Sequence, residues 1–242
     1  MVLRVLGLIA GLTIGTYVAA AATSPSGNVS CEGEAGIPPD AWIQACTAAI
    51  QSAGKPTEQA IAFYNRARAY RAKQENTAAI ADYSQAIKLL PNFAIAFQNR
   101  GVAYGAMGDP ARAIADYSQA IKLEPGLAVA YNNRGMTYKA RRQTALALAD
   151  LSKAIELDPE NPWAYNNRGD THYLAGAWTQ AIDDYSAALA LEPGLSYALF
   201  ARGAAKTYRG DRVSGRADIE AAVRLNPNVA SEQAKDGVVP HT

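Results

Sequence analysis

The chain offers few residues of the types that carry catalysis. It has two histidines, His172 and His241, and no Gly-x-Ser-x-Gly, phosphate-loop or His-Glu-x-x-His motif accompanies them. The adjacent carboxylates Asp183 and Asp184 fit a solvated helix face better than an acid–base pair. Nucleophilic catalysis needs a nucleophile, a base and an orienting group within reach of one another. The sequence therefore predicts a protein without enzymatic activity, cofactor or metal.

Residues 1–22 have the composition of an export signal. Arg4 is the only charged residue, and an uninterrupted run of apolar, Gly and Thr residues follows it from Val5 to Ala22. A basic start, an apolar core and an Ala-x-Ala end are typical of a cleaved signal peptide. The alternative is an uncleaved membrane anchor, since about eighteen apolar residues just span a bilayer. We predict a periplasmic or secreted protein that is free of the membrane after cleavage.

Two cysteines, Cys31 and Cys46, follow the export segment. In an exported chain with no histidine nearby, they favour a disulfide over a metal site, with unlinked thiols as the alternative. The bridge would tie the Ser-, Pro- and Gly-rich lead segment, residues 23–39, to the first helix. It would stabilise the fold by about 3 kcal/mol in the chain-entropy account.

Charge and composition exclude some partners. The chain has 23 basic and 22 acidic residues. No concentration of positive charge therefore indicates binding to nucleic acid or to an acidic membrane surface. Apolar residues make up 49% of the chain but aromatic residues only 8%, and much of the apolar share is alanine. This composition suits closely packed helices better than β-sandwiches. We expect an all-α fold.

A period of 34 residues dominates the chain. The triplet Asn-Arg-Gly at 99–101 recurs at 133–135 and 167–169, with variants at 65–67 and 201–203. A proline follows each triplet at a constant distance. Such self-similarity predicts stacked units that bury one another's apolar faces. The five units are residues 60–93, 94–127, 128–161, 162–195 and 196–229.

Each unit contains two predicted amphipathic helices. Residues 128–138, a typical first helix, have small or apolar side chains at helical spacing. In the turn that follows the first helix of the second unit, Asp109 can cap the next helix and Pro110 can occupy its first turn. The second helix of that unit is predicted at 111–123, and Pro125 blocks its continuation. The sequence thus predicts a helical hairpin for each unit.

The units resemble the tetratricopeptide repeat (TPR), in the bacterial exported type that has Asn-Arg-Gly where leucine-glycine is usual. The unit 94–127 matches the pattern with Phe97, Gly101, Tyr104, Ala113, Tyr117 and Ala120. Departures elsewhere are Ala67 for the glycine, His172 and Lys206 for the tyrosine, and Leu151 and Ile219 for the second aromatic. The resemblance covers residues 60–229. It implies an all-α, right-handed TPR superhelix (α-solenoid) of five helix-turn-helix repeats, whose first helices line a concave groove.

Two stretches form the ends of the array. Residues 40–51 indicate one amphipathic helix capped by Asp40, and we expect this N-terminal capping helix and its linker, 40–59, to cover the first unit. The C-terminal tail, 230–242, is polar and contains at best one short helix. Either the second helix of the last unit, predicted at 211–225, ends the stack, or something covers it.

An asparagine recurs at one position of the predicted groove. It precedes the arginine in four units, as Asn65, Asn99, Asn133 and Asn167, and Asn132 and Asn166 stand beside two of them. In some TPR superhelices such an asparagine ladder holds the backbone of an extended peptide. A carboxamide offers both the donor and the acceptor that a peptide bond requires. The alternative is that these asparagines bond their own neighbours within the stack.

Other groove positions differ between units, as positions that set specificity would. They are Arg68 and Arg71 near the N-terminal end, Lys139 in the middle, and Trp163, Tyr173, Tyr197 and Phe200 near the C-terminal end. The aromatic group indicates either a docking patch or packing between the last two units. Tyr64 and Asn133 stand where the chaperone-tail class of TPR has cations. A carboxylate clamp of that class is therefore not expected.

Every unit also has an arginine and, sixteen residues later, an aspartate. Because the helices of a hairpin are antiparallel, the two residues lie at similar heights, and we predict a structural ladder of ion pairs. Whether each arginine pairs within its own unit or with the preceding unit is open from the sequence.

Together these features predict a non-catalytic scaffold or adaptor of the cell envelope that binds a protein or an extended peptide in the groove. The alternative is a self-associating structural protein, a homodimer formed through an uncapped C-terminal end.

Overall fold

The computed structural model describes residues 30–33 and 36–240. The predicted signal segment, 1–22, and His241 lie outside these residues. The described residues form twelve α-helices and no strand. The helices are α1 (Pro39–Ser52), α2 (Pro56–Ala72), α3 (Asn76–Leu89), α4 (Ala94–Ala106), α5 (Pro110–Leu123), α6 (Ala128–Ala140), α7 (Thr144–Leu157), α8 (Pro162–Leu174), α9 (Trp178–Leu191), α10 (Ser196–Tyr208), α11 (Arg212–Leu225) and α12 (Val229–Lys235).

Ten of these helices, α2 to α11, form five hairpins that stack in chain order. Each helix packs mainly against the helices before and after it in the chain. The core is built from alanines and one large side chain per hairpin, such as Tyr83, Leu151 or Tyr185. Small residues let the helices approach closely: a Cβ added at Gly101 would lie 2.7 Å from Cε1 of Tyr117. The predicted all-α solenoid is confirmed.

The turn within each hairpin contains one left-handed residue at the same position of the repeat. It is a glycine in three hairpins, with φ of 74° at Gly108, 75° at Gly176 and 100° at Gly210. Gln74 and Arg142 adopt this conformation in the other two, with φ of 62° and 58°. Residues with a Cβ adopt positive φ at a cost that glycine avoids. The repeat geometry therefore imposes strain on these two turns.

Caps and prolines start several helices. As predicted, Asp109 caps α5: its Oδ1 accepts a hydrogen bond from the backbone N of Arg112 at 2.9 Å, and Pro110 is the first helical residue. The cap predicted for Asp40 is wrong. Because proline at the first helical position needs no donor partner, α1 already starts at Pro39, and the Asp40 carboxylate instead accepts a hydrogen bond from Nζ of Lys73 at 2.7 Å.

The predicted disulfide between Cys31 and Cys46 is confirmed. It holds the segment before α1 against that helix, together with a hydrogen bond of 2.8 Å from Nε1 of Trp42 to the carbonyl of Cys31. Helix α1 packs on α2 and so covers the first hairpin.

A short helix covers part of the other end. Helix α12 starts close to where the first helix of a sixth unit would start, and it packs on α10 and α11. Its Val229 is fully buried beside Phe200 and Ala222. Among the described residues, no helix combines the length and hydropathy needed to cross a membrane.

Candidate peptide-binding groove

The arginine–aspartate ladder fixes the helices that line the groove. In every hairpin the arginine donates from Nε to one carboxylate oxygen of the aspartate sixteen residues later, and from Nη2 to the other. For Arg134 and Asp150 these bonds measure 2.7 and 2.8 Å. Such two-bonded pairs combine charge with fixed geometry. The predicted ladder is confirmed, and each pair lies within one hairpin.

A third hydrogen bond connects each arginine to the preceding hairpin or, for Arg66, to α1. Nη1 of Arg100 donates to Oγ of Ser84 at 3.0 Å, and Nη1 of Arg134 donates to Oγ of Ser118 at 2.9 Å. Arg66 uses Thr47 of α1 in the same way, at 3.0 Å. The guanidinium therefore links two neighbouring units. The four serines, at 84, 118, 152 and 186, recur with the same period of 34, and that signal could have identified them; Thr47 lies outside this period.

Most of the asparagines that were predicted to bind a peptide form hydrogen bonds with neighbouring side chains instead. Nδ2 of Asn99 donates to the Tyr64 hydroxyl at 2.8 Å, and Nδ2 of Asn167 donates to Oδ1 of Asn132 at 3.0 Å. Asn65 is buried and accepts a hydrogen bond from Arg68 at 3.3 Å.

Asn133 and Asn166 differ from the other asparagines. Asn133 is half-buried, and its side chain makes no hydrogen bond to another described residue. Asn166 is buried, and within the described part of the chain its Oδ1 has no hydrogen-bond partner. Asn133 is therefore the asparagine whose carboxamide is most available to a ligand.

The N-terminal end of the groove is basic and aromatic. Trp42, Arg68, Arg71 and Asn99 line a shallow pocket of about 290 Å³. The Arg68 guanidinium lies 5.1 Å from the ring centroid of Trp42 and 5.8 Å from that of Tyr64, within range of cation–π attraction. Among the described residues, neither Arg68 nor Arg71 forms a salt bridge. Sequence reasoning missed Trp42, because this residue precedes the repeats.

The middle of the groove contains a buried charge pair. Nζ of Lys139 donates to Oδ2 of Asp170 at 2.9 Å, and the Tyr185 hydroxyl donates to Oδ1 at 2.9 Å. Burial raises the pKa of Asp170, while Lys139 lowers it. Lys139 was predicted as a ligand contact, but in the structure its ammonium group forms an ion pair with Asp170 of the next hairpin. His172 lies 3.8 Å from Asp184 in that hairpin, and burial lowers its pKa.

Most of the predicted aromatic patch is covered. Phe200 is 2% exposed, Tyr173 is 4% exposed, and the Tyr197 hydroxyl donates to Glu232 of α12 at 2.9 Å. Trp163 is 45% exposed, and its ring centroid lies 6.0 Å from that of Tyr197. The structure therefore uses three of the four aromatics in packing against the C-terminal segment, a partner that sequence reasoning did not identify.

Titratable side chains do not gather into a metal-binding group in the described part of the chain, where no three His, Cys, Asp or Glu residues cluster. The candidate binding surface is thus a groove with a basic N-terminal end, an amide- and charge-lined middle, and an aromatic C-terminal end.

Comparison with protein families identifies the repeats. Residues 67–108 and 138–176 match a TPR repeat model, and residues 94–127 and 162–195 match tetratricopeptide repeat models. No curated protein sequence matches the chain. The chain therefore contains tetratricopeptide repeats.

Solved TPR structures share the fold. PilW, described as a widely conserved type IV pilus biogenesis factor, is 23% identical with a TM-score of 0.67, over 80% of this chain and 90% of PilW. YrrB, described as a TPR protein with an unusual peptide-binding site, is 23% identical with a TM-score of 0.62, over 80% of this chain and 99% of YrrB. MamA is 23% identical with a TM-score of 0.62, over 71% of this chain and 94% of MamA.

Proposed function

We propose that this TPR protein is a non-catalytic scaffold of the cell envelope that binds an extended segment of a partner protein in its concave groove. One observation carries the proposal: Arg68 and Arg71 line a pocket of the groove without a carboxylate partner among the described residues. The five ladder arginines, by contrast, each hold an aspartate.

The chemistry of this pocket suits an acidic side chain of an extended peptide. A guanidinium binds a carboxylate through two parallel hydrogen bonds, and Trp42 and Tyr64 hold the Arg68 guanidinium near their rings before any ligand arrives. Further along, the carboxamide of Asn133 can pair with a peptide bond. Pre-ordered side chains lose little conformational entropy on binding, which favours affinity.

The relatives and the covalent structure support this proposal in part. YrrB has a peptide-binding site and PilW acts in pilus biogenesis, so TPR solenoids of this shape include interaction proteins. The disulfide between Cys31 and Cys46 suits an oxidising compartment. The apolar start of the sequence, residues 1–22, supports export to the periplasm or exterior.

Site-directed photocrosslinking in cells tests the groove. A crosslinking residue at position 133 should capture a partner protein, and the same residue at position 122, where Lys122 is exposed on the second helix of its unit, should not. Arg71→Ala should then weaken binding of the purified partner about tenfold, the loss of one charge-assisted hydrogen bond. Lys122→Ala, which also removes one cation, is the matched control and should bind normally. Capture at 122 instead of 133 would refute the groove as the binding surface.

Self-association is the competing function. Val213 and Leu225 of α11 are 85% and 56% exposed, so this last helix offers an apolar surface to a second copy. Light scattering decides between the two: a monomer supports the scaffold. A stable dimer that Val213→Asp dissociates would favour the structural alternative.

A further inference from the structure

The chain's own C-terminal segment occupies the aromatic end of the groove. After α12 the chain turns at Gly237, whose φ is 82°, and residues 238–240 return towards the repeats. The Val238 side chain is fully buried in the cluster that contains Tyr173, Ala201, Ala204 and Ala205. The Tyr173 hydroxyl donates a hydrogen bond to the carbonyl of Val239. One side chain of α8 thus holds the backbone of this segment, and small side chains of α10 pack around Val238.

The receiving side of this contact is preassembled. The Tyr173 ring packs edge-on against Trp178, with centroids 5.0 Å apart, and against Tyr208, with centroids 5.8 Å apart. Burial raises the pKa of Tyr173, so its hydroxyl stays protonated and can donate. These neighbours belong to the hairpins themselves, so the site persists when the tail leaves.

The tail segment follows directly on α12, whose Ala234 and Gln233 carbonyls accept hydrogen bonds from N of Gly237 and N of Val238, but it makes contacts that α12 does not make. Helix α12 is anchored by Val229 beneath Phe200 and by a hydrogen bond of 3.2 Å from Nε2 of Gln233 to the carbonyl of Tyr197. The segment after Gly237 reaches further back, to a tyrosine 66 residues earlier in the chain. An end cap has no need to reach α8, which lies one hairpin inside the end.

We infer that the C-terminal part of the groove is a binding site for an extended peptide segment with a buried β-branched aliphatic side chain, and that residues 237–240 occupy it as an intramolecular ligand. The inference rests on the proposed groove-binding function and adds the chemistry of the ligand at this end. A partner segment of the Gly-Val-Val-Pro kind takes the Val238 position and the Tyr173 hydrogen bond after the tail has left.

The tail is held weakly enough to exchange. Two backbone hydrogen bonds, from N of Gly237 to the carbonyl of Ala234 and from N of Val238 to the carbonyl of Gln233, tie the start of the tail to α12. Beyond them, one buried side chain and one hydrogen bond retain it on the repeats, while Val239 is 45% exposed. Terminal segments with few buried contacts open at low free-energy cost. While it is attached, however, the tail competes at an effective concentration in the millimolar range, as short flexible linkers do. The full chain therefore binds a free ligand at this site more weakly than a chain without the tail.

A peptide copied from the chain tests this inference. The probe is a fluorescein-labelled peptide of residues 234–240 with an amidated C-terminus, titrated against a variant that ends at Asp236 and against the full chain. We expect the shortened variant to bind the peptide, and the full chain to bind it at least about tenfold more weakly because of competition by the attached tail. A peptide carrying V238D should not bind. Y173F in the shortened variant should weaken binding about fivefold, the loss of one hydrogen bond.

Folding controls keep the test decisive. If the shortened variant loses its helical circular dichroism, the full chain carrying V238D replaces it, since this change expels the tail and leaves α12 intact. The inference would be overturned if the folded variant did not bind the peptide, or if the variant and the full chain bound it with equal affinity. A dimeric full chain that becomes monomeric on shortening would assign the tail to a second copy and overturn the intramolecular arrangement. Because the probe is defined, these outcomes are independent of whether position 133 captures a partner.

Discussion

Replacing Arg134 by alanine tests the ladder at the centre of the array. Arg134 makes three hydrogen bonds, of 2.7 and 2.8 Å to the two carboxylate oxygens of Asp150 and of 2.9 Å to Oγ of Ser118. Alanine at this position leaves the Asp150 carboxylate, whose side chain is 9% exposed, without its cation. It also cuts one connection between the second and third hairpins.

The expected loss follows from this geometry. Breaking a buried ion pair by removing one partner costs about 3–5 kcal/mol, because an uncompensated charge remains. Arg134 is 18% exposed in its side chain, so water can reach the site and the lower end applies, about 3 kcal/mol. For a chain of this size each kcal/mol corresponds to about 2–4 °C in Tm. We therefore expect a Tm lower by roughly 6–12 °C.

Two matched variants calibrate the result, each measured by urea unfolding with far-ultraviolet circular dichroism. Arg202→Ala should cost only about 1–2 kcal/mol, because Nζ of Lys206 still lies 2.8 Å from Oδ2 of Asp218. Lys153→Ala removes an exposed pair with Glu156 and should cost less than about 0.5 kcal/mol.

The ranking of the variants decides whether the reasoning holds. If Arg134→Ala lowered the free energy of unfolding no more than Lys153→Ala does, the ladder would contribute no more to stability than an exposed ion pair. Equal losses at Arg134 and Arg202 would refute the role assigned to the stranded carboxylate. The double variant with Asp150→Ala should recover part of the loss, because it removes that charge.

Three further predictions concern other parts of the solenoid. Arg142→Gly should raise the free energy of unfolding by about 0.5–1 kcal/mol because it relieves a positive φ. Gly176→Ala should lower the free energy of unfolding by about 1 kcal/mol. If urea unfolding showed changes of the same sign for both variants, the strain assigned to Arg142 would be refuted. Lys139→Ala should cost about 3–5 kcal/mol at pH 7. Burial already raises the pKa of Asp170. A buried acid with a raised pKa binds a proton on folding, so the free energy of unfolding decreases as pH rises above about 4. The deficit of this variant should therefore shrink at pH 4, and a deficit independent of pH would show that Asp170 stays charged. Cys46→Ser should cost about 3 kcal/mol of unfolding free energy, and an unchanged Tm in non-reducing buffer would show that the bridge contributes nothing.

The repeat architecture was predictable because its determinants are local and recur every 34 residues. Each hairpin contacts only its neighbours, so periodicity identifies the contacts along with the helices. The same regularity gave the arginine and aspartate of each pair, sixteen residues apart. The disulfide was likewise accessible, since only two cysteines exist and both precede the repeats.

The predictions from sequence were wrong or incomplete where two local determinants favour different helix starts, and at positions outside the 34-residue period. Asp40 was expected to cap α1, but two prolines before it allow the helix to start earlier. The asparagines share a position, yet the local environment decides each role: Asn99 bonds to Tyr64, while Asn133 makes no side-chain bond to a described residue. A one-dimensional pattern cannot distinguish these cases, because the partner lies on the neighbouring unit.

The composition and period of the sequence determine an all-α array of hairpins, its internal ion pairs and the approximate position of its groove. Only the tertiary structure decides which groove positions remain open. Trp163 stays 45% exposed, while Tyr173 is covered by a segment that joins it across 66 residues of chain. That contact uses Val238, a residue outside every repeat. Because burial of one aliphatic side chain is non-directional and leaves no periodic signal, such a contact follows from the three-dimensional path of the chain.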